Sequence, residues 1–163
     1  MKLAIAFALV LGTLQAQNNL VTATQRYFNT VRRNLEASAD VMPAEKYGYR
    51  LTDGQMTFGE WLIHSAQRNY SDCGILKSET APSLATLKSK DEIAKALKDS
   101  FAYCAPAVEQ ADEAKILASP QMTNAFLHIT IHNNEIYGNI VGYLRSSGIV
   151  PPSTAGRGAQ TKK

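Results

Sequence analysis

Lys77-Ser78-Glu79-Thr80-Ala81-Pro82-Ser83-Leu84-Ala85-Thr86-Leu87-Lys88-Ser89 is the stretch on which the fold turns. Pro82 and scattered hydroxyl side chains leave it without an apolar period, so it reads as a long connection between two helices. Before it, Thr57 and Glu60 form a capping-box pattern ahead of Trp61, Leu62 and Ile63, and the helix they start is expected to stop near Cys73-Gly74. After it, Ile93, Leu97, Phe101, Cys104 and Val108 recur on one side of a helix over residues 90–108, which Pro106 is expected to kink or end early. Adjacent antiparallel helices usually need only about 2 to 8 linking residues. The longer connection therefore suggests a crossover.

The two cysteines bear on the same question. If the flanking helices formed a hairpin, Cys73 would face the start of the next helix, with Cys104 roughly 20 Å away at about 1.5 Å rise per residue. If they run parallel, both cysteines reach the same end. A Cys73–Cys104 disulfide would imply the crossover, and two free buried thiols are the alternative.

Two further helical runs complete the pattern. Residues 20–39 carry Val21, Phe28, Val31 and Leu35 at helical spacing, and the linker Met42-Pro43-Ala44-Glu45-Lys46-Tyr47-Gly48-Tyr49-Arg50 follows. Residues 120–147 form the longest run, stopped by Gly148 before Pro151-Pro152. Period-two alternation never persists. The reading is all-α: a four-helix bundle over residues 17–152 with long crossover connections.

The ends explain the charge. The 163 residues hold 17 Lys+Arg against 14 Asp+Glu, a formal +3. Lys2, Arg157, Lys162 and Lys163 lie near the termini, and without them 13 basic residues face 14 acidic ones. This excludes an electrostatic nucleic-acid binder. Residues 1–16, with Lys2 before an apolar run and Ala16 at the end, have the layout of a secretory signal peptide. The expected location is exported, periplasmic or secreted, with no membrane span after cleavage, since the apolar run is shorter than the roughly 20 residues that cross a bilayer. Residues 153–163 read as a flexible tail.

The chemistry lies in three histidines, His64, His128 and His132. His128 and His132 are spaced i and i+4, and 100° per residue groups them with Ala125, Ile136, Asn139 and Tyr143 on the inward face of the last helix. Imidazoles buried there need partners, and a divalent metal satisfies one nitrogen of each ring. His64, on a second helix, is the remaining histidine and the third ligand candidate. Glu135 and Asn139 are candidates to orient a ring or a bound water. The His-Glu-x-x-His pattern is absent because position 129 is Ile, as are Glu-x-x-His pairs and a glycine-rich phosphate loop.

These residues, with Glu135-Ile136-Tyr137-Gly138-Asn139, the run from Val141-Gly142-Tyr143 through Pro151-Pro152, the linker Met42–Tyr47 and Phe58-Gly59-Glu60-Trp61-Leu62-Ile63-His64, resemble the DinB-like family. The resemblance spans nearly the whole chain after residue 16. It implies an up-down-down-up four-helix bundle in which His64, His128 and His132 hold one divalent ion, zinc or nickel. It also implies a metal-dependent hydrolase or a thiol-dependent transferase acting on a small molecule. Asn139 stands where many relatives have Gln. An exported chain also differs from relatives that use chiefly cytosolic thiols. A non-catalytic metal-binding or interaction domain is the alternative, and an exposed apolar helix face leaves a homodimer open.

Overall fold

The computed structural model describes residues 19–155, which are helical throughout their regular parts. The signal-peptide reading of residues 1–16 and the tail beyond residue 155 lie outside the described residues. Six helices follow in order: α1 (Asn19–Val41), α2 (Phe58–Lys77), α3 (Lys90–Glu109), α4 (Glu113–Ala118), α5 (Pro120–Ser146) and α6 (Pro152–Ala155). A single 3-10 turn, Ala44–Lys46, interrupts the linker after α1. Among the described residues no helix is long and apolar enough to cross a membrane.

Local chemistry sets the helix starts. Thr57 Oγ1 accepts from the Glu60 amide while Glu60 returns a bond to the Thr57 amide, and Ser89 with Glu92 repeats the arrangement at α3. Ser119 caps α5, with Pro120 in the first turn, where its missing N–H costs nothing.

One expected stop is corrected, and of the two effects expected of Pro106, a kink or an early end, the early end does not occur. Gly74 does not end α2, which continues to Lys77 and closes on Ser78 in the left-handed region at φ 54°. Gly74 answers a packing demand instead: a Cβ there would lie 3.1 Å from both the Ala81 Cβ and the Glu79 carbonyl oxygen of the crossing segment. Pro106 does not end α3 early either, because the carbonyl it leaves unpaired, that of Ala102, belongs to an exposed residue and can be hydrated. The short helix α4, capped by Asp112, lies in a segment whose sequence carries too little apolar period to announce it. Residues Ser153–Ala155, read as the start of a flexible tail, complete α6, and the Ser153 amide donates to the Tyr137 hydroxyl at 3.0 Å.

The long helices pack on one core. α2 lies against α3 and α5, and α1 lies against the same two. Phe28 of α1 meets Phe101 of α3 edge-on at 5.6 Å, within a cluster that includes Leu35, Leu62, Leu97, Phe126, Ile136 and Leu144. Contacts along α2 and α3 advance together: Gly59 lies beside Ile93, Asn69 beside Ser100, and Cys73 beside Cys104. The two helices therefore run parallel.

Residues 78–89 supply the connection that parallel helices require. Each helix is 20 residues long, about 30 Å, and a dozen extended residues reach roughly 40 Å. The segment is pinned at both ends. Tyr103 donates to Glu79 at 2.7 Å, and the Lys88 and Ser89 amides donate to Glu92.

Cys73 and Cys104 are disulfide-bonded, with Cα atoms 5.3 Å apart. The bond spans 31 positions of sequence, so it removes loop entropy from the unfolded chain. Replacing both cysteines by alanine should lower the unfolding free energy by about 3 to 4 kcal/mol, measured by urea denaturation, with little loss of helical circular dichroism before the transition.

Candidate functional site

A buried polar ladder holds α2 in register with α3 and α5. Ser65 Oγ donates to Asn133 Oδ1 at 2.6 Å. The Asn133 amide nitrogen donates to Asn69 Oδ1 at 2.7 Å and to the Ile129 carbonyl at 2.6 Å. Asn69 Nδ2 in turn donates to Ser100 Oγ at 3.0 Å, and Ser100 Oγ to the Leu97 carbonyl. All four side chains are buried, and each hydrogen-bonds to a neighbour in the ladder.

The ladder places the three histidines together on the seam between α2 and α5. His64 Nε2 and His132 Nε2 are 2.9 Å apart. His128 stacks on His132 with ring centroids 4.7 Å apart and planes 17° from parallel, as i,i+4 rings on one helix face can. The inward placement read from helical geometry is corrected in degree. The centre of the inward face of α5 is Ile129, Asn133, Ile136 and Ile140, whereas the His128 and His132 side chains keep 29% and 18% exposure at the rim.

Each ring on α5 is held from behind. Asp72 Oδ2 lies 2.7 Å from His128 Nδ1, and Asp72 is only 3% exposed. A buried carboxylate accepts, so His128 Nδ1–H donates to it, which leaves Nε2 as the nitrogen not engaged by Asp72. The other Asp72 oxygen faces the Arg68 guanidinium at 3.4 Å. Glu135 Oε2 lies 3.3 Å from His132 Nδ1 and orients that ring the same way. With His132 Nδ1–H donating to Glu135, its Nε2 accepts from His64 Nε2–H.

Burial pushes the His64 imidazole below its ordinary value, and His132, Arg68 and His128 push in the same direction against Glu135. Asn139, the other residue read as a partner of the site, instead donates to the Glu135 carbonyl on its own helix. Tyr143, grouped with the histidines on one face, lies in the core. Its hydroxyl donates to the Met56 carbonyl and receives the Trp61 indole N–H at 3.3 Å, tying the linker to α2 and α5.

Sequence reasoning passed over Asp72, Ser65, Asn69, Ser100 and Asn133. A signal was present in α2. Ser65 and Asn69 recur at helical spacing with Leu62 and Cys73, so polar residues interrupt an otherwise apolar stripe. Such positions need buried partners.

Among the described residues no group of three His, Cys, Asp or Glu side chains is placed to hold a metal ion. Two of the three imidazoles nevertheless stand near ligand spacing. Nitrogens sharing a tetrahedral zinc at about 2.0–2.1 Å stand roughly 3.3 Å apart, so the His64–His132 pair needs to open by only a few tenths of an ångström. Comparison with family models, with curated proteins and with solved structures gave no match.

Two outcomes follow from this geometry. Asn133→Ala strands the buried Ser65 hydroxyl and Asn69 carbonyl oxygen, and should cost about 2 to 4 kcal/mol of stability by chemical denaturation. Because the folded-state pKa of His64 is lowered, the unfolded chain takes up its proton first as pH falls. Ion-free protein should therefore lose stability between about pH 7 and pH 5, and His64→Gln should lose less over the same interval.

Proposed function

We propose that His64, His128 and His132 bind one divalent metal ion, zinc or nickel, in an exported, DinB-like four-helix bundle of up-down-down-up topology. The observation that carries this reading is the convergence of three imidazoles. His64 and His132 meet through Nε2 at 2.9 Å, while Asp72 and Glu135 hold the Nδ1 atoms of His128 and His132. Carboxylates behind histidine rings are the usual outer support of metal-ligating imidazoles, because they fix the tautomer and raise ligand basicity.

The topology has its own support. α2 runs parallel to α3. Ser65 and Asp72 meet Asn133 and His128 in reverse order, so α5 runs against α2. Gln25 reaches the Val108 carbonyl while Asp40 pairs with Lys98, so α1 runs against α3. The Cys73–Cys104 bond supports export, since disulfides persist in oxidising compartments.

Three histidine ligands leave open positions, as in catalytic rather than structural zinc sites. A bound divalent ion would supply Lewis acidity and lower the pKa of a coordinated water or thiol. The chain's own part is to aim the rings, with Asp72 holding His128 through Nδ1, and to admit a small molecule. A groove of about 350 Å³ that includes His64 opens beside the site and favours metal-dependent hydrolase or transferase chemistry over simple metal storage. A non-catalytic metal-binding domain is the second reading, favoured by the acids available. Asp72 is committed to His128, and the Glu135 side chain is 68% exposed.

Elemental analysis of untagged protein prepared without metal supplements tests the site. About one ion per chain is expected, lost on His128→Ala or His132→Ala. Asp72→Asn should weaken affinity by about 10- to 100-fold while retaining the site. A metal-free chain whose melting temperature does not respond to added zinc or nickel would refute it. Glu135→Gln with metal retained separates a catalytic carboxylate from a supporting one, since only the former changes turnover.

A further inference from the structure

The groove beside His64 has a composition the histidines do not explain. One wall is the exposed face of α2, on which Glu60, Ile63, His64 and Gln67 follow the i, i+3, i+4, i+7 pattern. The other is the linker from Arg50 to Met56, turned by Gly54 at φ 85° and tied down where Met56 accepts from the buried Tyr143 hydroxyl. The two walls present one cation, one anion and an apolar floor.

The cation and the anion are each fixed independently. The Arg50 guanidinium donates to the Gln55 carbonyl, and Glu60 accepts from the Thr57 amide at 2.6 Å. That amide bond is the main reason the Glu60 carboxyl is held below its usual range, with Arg50 adding to it. Between themselves they share a single ion pair of 3.2 Å, with both side chains about half exposed. Such a pair contributes little and opens readily to a ligand that replaces both halves. A guanidinium recognises carboxylate in a planar fork, and a carboxylate recognises ammonium.

We infer that this groove binds a zwitterionic small molecule with an α-amino-acid head, its carboxylate on Arg50 and its ammonium on Glu60. The rest of the molecule runs over Met56 and Ile63 toward His64. The volume of about 350 Å³ suits a compact ligand of this kind. The inference rests on the proposed metal site only for what the far end of the ligand meets. Recognition of the head is independent of it.

Calorimetric titration of the full chain with L-methionine, 4-methylthiobutanoate and 3-methylthiopropylamine tests the assignment. L-methionine should bind saturably, with each single-charge analogue at least about tenfold weaker. Arg50→Gln should erase the preference over the amine, and Glu60→Gln, which still completes the capping box, should erase the preference over the acid. No saturable binding of L-methionine at millimolar concentration, equal binding of either analogue, or unchanged preference in both variants would overturn the inference. The metal content of the unsubstituted protein, read beside its L-methionine binding, separates the two proposals. L-methionine binding that survives in metal-free protein leaves the groove standing and the metal site failed, whereas one ion per chain without L-methionine binding does the reverse.

Discussion

The hydrogen bonds between Asn133 and its two partners on α2, Ser65 and Asn69, constrain almost everything else about the site. An asparagine that is 1% exposed must find partners for its carbonyl oxygen and two N–H groups; the Ile129 carbonyl of its own helix supplies one, and Ser65 and Asn69 of α2 supply the other two. An apolar seam tolerates sliding at modest cost, because leucine and isoleucine contacts are non-directional. An amide seam does not. A slip of α5 along α2 would break the Ser65–Asn133 and Asn133–Asn69 bonds in a dry interior. The register so imposed brings His132, the residue before Asn133, to His64, the residue before Ser65.

Asp72 extends the same logic from the core to the rim. It lies one turn below Asn69, buried, with one oxygen on His128 and the other facing Arg68. A buried carboxylate beside a partly exposed histidine is an arrangement with a direction: Nδ1–H donates to the carboxylate and Nε2 is left free of it. The disulfide one residue later fastens this end of α2 to α3, and Gly74 lets the crossing segment press close behind it. The part of α2 that carries the functional candidates is thus held by amides, by sulfur and by a covalent neighbour at once.

Much of the fold was legible beforehand. The four long helices follow from apolar residues at helical spacing, and their starts from capping chemistry at Thr57 and the punctuation around Pro120. The expected end at Gly74 misled because that residue was read for its local conformation. Gly74 is required by a segment seven residues further on, and Pro106 is tolerated because water can reach the carbonyl it leaves free. The candidate histidines were legible as a spacing, while Asp72 was not. An acidic residue in a helix reads as surface until its neighbours in space are known.

Composition and periodicity determined the helical class, the core stripe of each helix and the short set of side chains able to do chemistry. These are properties of residue type and of a 3.6-residue repeat, both of which act locally. Tertiary structure alone decided which helix lies beside which, that His64 and His132 touch, that Asp72 supports His128 and that the linker roofs a groove over α2. Those outcomes depend on satisfying buried polar groups across chains of contact separated by dozens of residues. No window of sequence contains both partners.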